Sequence, residues 1–190
     1  QGDSCAADTS PMDLLTEEQR EICRAVLAGK SIFFTGGAGT GKSFLLKKML
    51  EMLRPSECAV TASTAMAASL LGGTTLHRWA GIGLGEGDVL SLAKKLKNRR
   101  DALQRWRQCK TLVIDEISMV DGRLFQVLEV LAQAIRERNA AFGGLQVVAC
   151  GDFLQLPPVV RNEETDKKGR GPTFCFEVNA WNRTIQENFE

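Results

Sequence analysis

The most constraining feature of the sequence is a glycine-rich segment at residues 36–43, which reads GGAGTGKS. It fits the pattern G-x-x-x-x-G-K-[ST], whose glycines let backbone N–H groups approach phosphate oxygens without interference from a Cβ. The segment follows a short apolar stretch, residues 31–35, and opens an apolar, lysine-bearing stretch, residues 42–53. This order predicts a strand, a loop and a helix, which is the structural context that the pattern requires. A glycine turn that binds no ligand would not require this context. The sequence therefore predicts a phosphate-binding loop at the start of a helix.

Further strands and helices follow this unit along the chain. Continuous apolar stretches at residues 58–62, 110–114 and 145–150 predict strands. Helical spacing or composition predicts helices at 14–28 and 63–71, in the basic region at 94–110, and from Asp121 to the glycine pair at 143–144. Apolar strands that do not alternate with polar residues, separated by helices, indicate a mainly parallel sheet buried on both faces. We predict an α/β fold with helices flanking that sheet.

Length and composition favour a single globular unit. The 190 residues include 44% hydrophobic and 25% charged residues, close to the averages of globular proteins. We predict a flexible segment at 1–13, one lobe at 14–182 and the start of a linker at 183–190, with an exposed loop at 161–172. No apolar run approaches 18 residues, and the first ten residues have neither a basic nor an apolar segment, so we expect a soluble protein without a visible signal peptide.

Cysteine and histidine usage argues against a zinc site. The six cysteines are at least 18 residues apart, and His77 is the single histidine, so ordinary zinc-binding spacing is excluded. Cysteines inside apolar stretches behave as small hydrophobic residues. We therefore expect reduced thiols and an intracellular, reducing compartment.

The net charge of +1 hides an uneven distribution. Residues 94–110 carry eight Lys or Arg and one Asp, a net charge of +7, so the rest of the chain carries −6. This surface could meet phosphates, with Trp106 stacking on a base. Alternatively, it is a solvated helix face whose Leu96, Leu103 and Trp106 pack inward. The sequence leaves both interpretations open.

Polar residues follow two of the predicted strands. Asp115 and Glu116 come directly after the strand at 110–114, and Gln155 lies in the loop after the strand at 145–150. Ligands of open α/β sheets bind beyond the carboxyl ends of the strands. Asp115 suits a Mg²⁺ ligand and Glu116 a base for water, whereas surface charge or a helix cap is the alternative. Gln155 either senses a γ-phosphate or is a loop residue bonded to backbone.

Structural interpretations also exist for other polar residues. Thr16 and Gln19 form the pattern of a capping box at a helix start. The segment around Thr64 is a suitable seat for a phosphate at a helix start, but helix capping explains it equally well. His77 either contacts nucleic acid or simply packs.

Several motifs together resemble one family in order along the chain. They are LTEEQREIC, FFTGGAGTGKS, TASTAMAAS, GGTTLHRWAGIGLG, LVIDEISMVDGRLF and CGDFLQLPPV, and the resemblance covers nearly everything from residue 15 to residue 181. The chain resembles the first RecA-like lobe of superfamily 1B DNA helicases of the petite integration frequency (Pif) family. Ala65 stands where that family usually has glycine.

The resemblance implies a RecA-like P-loop NTPase lobe that uses ATP and Mg²⁺. It implies that Gln19 reads the adenine, that Asp115 and Glu116 serve magnesium and hydrolysis, and that Gln155 couples the γ-phosphate to DNA. Thr64 and His77 fall in segments that contact the single strand in the family. The loop residues expected to hold the phosphates are Gly36, Gly37, Ala38, Gly39, Thr40, Gly41, Lys42 and Ser43, of which Ser43 also binds Mg²⁺.

The resemblance also implies partners and a compartment. Family members are 5′-to-3′ helicases that act on single-stranded DNA, duplexes, RNA–DNA hybrids and G-quadruplexes in the nucleus and mitochondria. Nothing after Trp181 resembles the second RecA-like lobe, so we expect a half motor that binds Mg·ATP and hydrolyses it poorly without that lobe and its arginine finger. We expect no membrane partner and no structural zinc. The alternatives are an AAA-type P-loop ATPase and a nucleotide-gated module that binds single-stranded DNA.

Overall fold

A computed structural model describes residues 10–83, 85, 87–158 and 172–185. These residues contain a five-stranded sheet in which every pair of neighbouring strands is parallel. The strands are β1 (Ile32–Phe34), β2 (Cys58–Ala62), β3 (Thr74–Thr75), β4 (Thr111–Asp115) and β5 (Gln146–Cys150), in the spatial order β1-β5-β4-β2-β3. The predicted parallel sheet is confirmed.

Helices connect the strands and cover the sheet. They are α1 (Glu17–Leu27), α2 (Lys42–Met52), α3 (Ala65–Leu70), α4 (Leu76–Ala80), α5 (Val89–Lys97), α6 (Arg100–Gln108), α7 (Gly122–Arg136) and α8 (Asn179–Thr184). Short 3-10 turns occupy Pro11–Leu14, Ile117–Met119, Ala141–Gly144 and Cys175–Glu177. No helix of the described ranges is long and apolar enough to cross a bilayer.

The central strands divide their side chains between two hydrophobic clusters. Leu112 and Ile114 of β4 pack into a large cluster with residues of α4 to α8, whereas Val113 between them packs into a smaller cluster with α1 and α2. All three side chains are fully buried. Burial on both faces is why the strand is continuously apolar.

The first and fifth predicted helices have different bounds from those expected. The chain from residue 14 is not yet α-helical, because Thr16 is extended and α1 begins only at Glu17. The glycine pair at 143–144 does not end α7, which stops at Arg136 with Glu137 in the left-handed region at φ 55°. Gly143 instead allows the chain to pass close to α7, since a Cβ there would lie 2.6 Å from the carbonyl oxygen of Ala132.

The basic region at 94–110 forms parts of two helices, α5 and α6. Trp106 of α6 is fully buried, and its Nε1 donates to the carbonyl of Ala80 at 3.0 Å. Its ring also packs against Trp79 with 4.5 Å between centroids. Base stacking on Trp106 is therefore wrong, and inward packing is confirmed.

Three predictions lie partly outside the described residues. The flexible segment at 1–13 is described only from residue 10, and the exposed loop at 161–172 only at residue 172. The predicted linker at 183–190 is described to residue 185, and α8 continues to Thr184. The strand β3 was not predicted, because two residues are too short to show a pattern.

Candidate nucleotide-binding site

The carboxyl ends of β1, β4 and β5 bring the predicted site residues to one edge of the sheet. Phe34 of β1 is paired in register with Cys150 of β5, and Ile114 of β4 with Ala149. The three strands therefore end at nearly the same height. The loop at 36–43, the Asp115–Glu116 pair and the loop at 151–155 all start from this edge.

Glycine is required at several positions of the loop at 36–43, either because the backbone has a positive φ or because a Cβ would collide with a neighbouring atom. Gly39 and Gly41 have φ angles of 79° and 88°, in the left-handed region that favours glycine. A Cβ on Gly36 would lie 2.5 Å from Oγ1 of Thr40, whose hydroxyl donates to the carbonyl of Gly37 at 2.9 Å. Gly41 is the N-cap of α2, so the loop ends directly at the positive end of that helix.

Lys42 folds over this loop. Its Nζ donates to the carbonyl oxygens of Gly36 and Gly37, the latter at 3.0 Å. Its charge opposes the rise in pKa that burial causes at Asp115 and Glu116. An anionic ligand bound in the loop would lie next to this ammonium group.

Asp115 is the last residue of β4 and is 9% exposed. Burial raises the pKa of its carboxyl group above the ordinary value, and three neighbours oppose that shift: the backbone N–H of Glu116, the thiol of Cys150 and Lys42. The N–H of Glu116 donates to Oδ1 at 3.0 Å. The carboxylate is thus desolvated, which favours a bound cation.

Glu116 has a strained backbone. Its φ of 53° places a non-glycine residue in the left-handed region, where such residues cost about 1 to 3 kcal/mol. Burial raises the pKa of its carboxyl group, the negative charges of Asp115 and Asp152 raise it further, and Lys42 lowers it. A carboxylate with a raised pKa is a better proton acceptor at neutral pH.

Gln155 is held by a residue whose role the sequence did not indicate. Its Nε2 donates to Oδ2 of Asp152 at 2.7 Å, and its backbone N–H donates to the carbonyl of Asp152 at 3.0 Å. The negative charge of Asp152 raises the pKa of Glu116, and the thiol of Cys150 lowers the pKa of Asp115. Cys150 ends an apolar strand and therefore looks like a core residue in the sequence, but the strand order places its thiol beside Asp115.

Gln19 forms the expected capping box and also faces the loop. Its Oε1 accepts from the backbone N–H of Thr16 at 3.1 Å, and its own N–H donates to Oγ1 of Thr16 at 3.3 Å. A Cβ placed on Gly41 would lie 3.6 Å from Nε2 of Gln19. The amide oxygen is therefore used locally, while the amide nitrogen lies next to the glycine loop.

Thr64 and His77 lie on the β2–β3 side of the same edge. Thr64 caps α3, since its Oγ1 accepts from the N–H of Ala67 at 3.2 Å. The capping role of Thr64 is therefore confirmed, whereas its contact with a phosphate stays a prediction. His77 is half-buried in α4, and Gly85 packs on its ring, because a Cβ there would lie 3.3 Å from Cδ2. The strand order places β5 and β4 between these two residues and Lys42, whereas the N–H of Ser63, next to Thr64, donates to the carbonyl of Asp115 at 3.2 Å.

The described residues contain no group of three or more His, Cys, Asp and Glu side chains arranged to hold a metal. Mg²⁺ does not require one, because it keeps several waters and takes further oxygens from substrate phosphates. The hydroxyl of Ser43 and the buried carboxylate of Asp115 are the hard oxygen donors that Mg²⁺ prefers. These residues fit such an ion.

Comparison with known proteins identifies the class of this fold. The chain superposes on the crystal structure of Pif1 helicase from Candida albicans with a TM-score of 0.84 and 50% identity, covering 91% of this chain and 38% of that one. Pif1 helicase from Bacteroides in complex with ADP-AlF3 and ssDNA gives a TM-score of 0.73 and 30% identity, covering 90% and 40%. The described lobe therefore has a RecA-like P-loop fold.

The sequence comparisons identify the family. The model of the PIF1-like helicase family matches residues 14–186, so the chain belongs to that family. It is 50% identical to ATP-dependent DNA helicase PIF1 of Homo sapiens, covering 93% of this chain and 26% of that protein. It is also 50% identical to the Candida albicans PIF1, of which it covers 20%. The chain thus spans about a fifth to a quarter of these relatives, and its membership decides against an AAA-type ATPase.

Proposed function

We propose that this chain is the ATP-binding motor lobe of a 5′-to-3′ DNA helicase, which couples ATP hydrolysis to movement along single-stranded DNA. The observation that carries this proposal is the convergence of a glycine loop, Lys42 and two carboxylates of raised pKa at one sheet edge. The bound nucleotide analogue and ssDNA named for the Bacteroides relative support it.

In this proposal the glycine loop holds the phosphates of ATP. Lys42 leaves the carbonyl oxygens of Gly36 and Gly37 and donates to the β- and γ-phosphates, while the N–H groups of the loop and the positive end of α2 face the same anions. Gln19 contacts the adenine with the amide nitrogen that its capping role leaves beside the loop. Binding therefore exchanges hydrogen bonds within the loop for hydrogen bonds to phosphate.

The carboxylates act on the metal and on water. Ser43 and Asp115 would hold Mg²⁺, which would neutralise charge on the phosphate oxygens of the nucleotide. Glu116 accepts a proton from the water that attacks the γ-phosphate. Asp152 holds the Gln155 amide in place, so that Gln155 can sense the γ-phosphate and pass its state to DNA.

The remaining parts of the proposal concern the whole protein. Thr64 and His77 contact the single strand on the β2–β3 side of the edge. The substrates are duplexes, RNA–DNA hybrids and G-quadruplexes, and a second RecA-like lobe supplies the arginine finger. We place the parent protein in the nucleus, the mitochondrion or both.

Titration with a fluorescent Mg·ATP analogue tests the phosphate role of Lys42. Lys42→Ala is expected to weaken binding about 10- to 100-fold, because hydrogen bonds to charged groups contribute about 1.5 to 3 kcal/mol. Lys47→Ala, an exposed position on the same helix, is the matched control and should bind normally. Equal affinity of the Lys42 variant and the unsubstituted chain would contradict the proposal.

A nucleotide-gated module that binds single-stranded DNA is the second candidate. ATP turnover measured with and without an added second lobe separates the two functions. Rescue of turnover indicates a motor lobe, whereas DNA binding without rescue indicates a binding module.

A further inference from the structure

Five of the eight cations at 94–110 are exposed and lie in the last turn of α5 or at the start of α6. We call this set the α5–α6 corner: Lys94, Lys95, Lys97, Arg99 and Arg100. None of them forms an ion pair within 4 Å with any residue of the described ranges. Asp88 is the acidic residue near Lys94, but it caps α5, and its hydrogen bonds to Ser91 lower its pKa more than the charge of Lys94 does.

The other three cations have structural roles. Arg105 pairs with Asp101 at 2.9 Å and donates to the carbonyl of Trp79, while Arg107 donates to the carbonyl of Ile135. Lys110 pairs with Glu57 at 2.8 Å. The fold thus separates the basic region into cations that hold helices and strands in place and cations that face solvent.

Helix stability does not account for the two arginines of the corner. Lysines in the last turn of α5 interact favourably with the negative end of that helix. Arg99, in contrast, is the N-cap of α6 and makes no capping hydrogen bond, and Arg100 begins that helix. Cations at the positive end of a helix are unfavourable by about 0.3 to 1 kcal/mol, and Ser, Thr, Asp or Asn is the usual N-cap. A local cost of this kind points to a role outside the helix.

The corner adjoins the segment that carries His77. Gly81 ends α4, and a Cβ there would lie 2.7 Å from Cβ of Ala102 and 3.9 Å from Cδ of Arg99. The end of α4 therefore packs directly beneath the start of α6. Arg99 of the corner thus lies next to the end of the helix that carries His77.

The chemistry of the corner favours a duplex over a single strand. Proteins that bind single strands combine cations with aromatic side chains on which bases stack. Residues 88–110 contain one aromatic side chain, Trp106, and it is fully buried. The corner therefore offers phosphate contacts alone, and a duplex presents about one negative charge per 1.7 Å of its axis.

We propose that the α5–α6 corner binds the phosphate backbone of duplex DNA next to the single strand held by the lobe. This inference rests on the proposed function for the position of the single strand. It adds a second, sequence-independent DNA contact that would hold the duplex arm at a junction. Arg99 and Arg100 make this contact at the expense of helix stability.

The test compares the triple variant Lys95→Gln, Arg99→Gln, Arg100→Gln with the control Lys30→Gln, Lys47→Gln, Arg54→Gln. Both lose three exposed cations, so their net charges stay equal. Fluorescence anisotropy is measured with oligo-dT, a blunt duplex and a duplex with an oligo-dT tail, each at several salt concentrations. The corner variant should lose about tenfold or more in affinity for the blunt duplex, with a salt slope less steep by about 2 to 3. It should keep its affinity for oligo-dT, and the control should keep both.

The outcomes separate the corner from the single-strand track. Equal loss of duplex binding in the control and the corner variant would overturn the inference, as would duplex binding that neither variant weakens. Equal loss of oligo-dT binding would also overturn it, because the corner would then bind single strands. If the unsubstituted chain binds the duplex but no oligo-dT, the single-strand track fails and the corner stands. If it binds neither, both proposals fail.

Discussion

At the scale of single residues, the site buries two carboxylates whose charged forms are more stable in water. Burial raises the pKa values of Asp115 and Glu116, and the left-handed backbone of Glu116 adds strain. A carboxyl group whose pKa is higher in the folded than in the unfolded state lowers stability as pH rises through both values. At a pH above both values the folded chain carries the full cost of the buried charge. A neutral replacement should remove that cost.

We predict that Asp115→Asn raises the melting temperature of the nucleotide-free chain at pH 7. The rise should be a few degrees, since 1 kcal/mol corresponds to about 2 to 4 °C in a domain of this size. The amide oxygen can still accept from the N–H of Glu116. Thermal unfolding followed from pH 7 downward should show the difference shrinking as pH falls through the folded-state pKa of Asp115.

Asp101→Asn is the control for this prediction. A hydrogen bond from Arg105 lowers the pKa of the exposed Asp101 carboxyl, so its loss should not raise the melting temperature. A lower melting temperature for Asp115→Asn at pH 7 would show that the carboxylate stabilises the fold.

At the scale of elements, the segment at 172–185 is built into the lobe through α7 and the loop after β5. The N–H of Gly122, the first residue of α7, donates to the carbonyl of Thr173 at 2.7 Å. Trp181 of α8 lies 5.8 Å from Phe125 of α7 and 5.8 Å from Phe153, measured between ring centroids. Phe153 follows Asp152 directly, so this packing also positions the loop that carries Gln155.

Gly122→Ala should destabilise the chain by about 1 to 3 kcal/mol. A Cβ at this position would lie 2.4 Å from the carbonyl oxygen of Phe174, so the segment must move away. Helix propensity alone would change stability by up to about 1 kcal/mol in the opposite direction. Urea unfolding followed by tryptophan fluorescence measures the sign, and Arg123→Ala, at the exposed next position, is the control. A stabilised Gly122 variant would show that the close approach to Phe174 is absent.

At the scale of the whole molecule, one sheet joins two hydrophobic clusters. The smaller cluster contains Cys23 and Cys150, and the larger one contains Cys109 and Cys175. All four thiols are buried, and burial raises their pKa values, that of Cys109 to about 11. Because β4 and β5 contribute residues to both clusters, loss of either cluster should disrupt the other.

We predict that these four thiols become reactive together. Pulse alkylation across a urea series, with mass spectrometry of the peptides, should give one midpoint for all four cysteines and little labelling without urea. The thiolate is the reactive form, and both exclusion of water and a raised pKa suppress it in the folded chain. Separate midpoints for the two clusters would show that the faces of the sheet unfold independently.

The sequence by itself determined the features that depend on local backbone geometry. The glycine loop with Lys42, the capping box at Thr16 and the position of Asp115 at a strand end all appear in the structure where the sequence predicts them. Each is specified by neighbours within a few residues or by the repeat of apolar positions. Those local patterns can be recognised without knowing how the rest of the chain folds.

The tertiary structure decided which distant residues meet. The direction of Trp106, the thiol of Cys150 beside Asp115, and the five solvent-facing cations of the corner follow from the order of the strands and the packing of helices on them. From the sequence, Trp106 could either stack on a base or pack into the core, because its spacing along the helix is the same in both cases. Contacts with residues far apart in the chain, such as those of Arg105 with Trp79 and Lys110 with Glu57, distinguish a cation that holds the fold together from one that faces solvent.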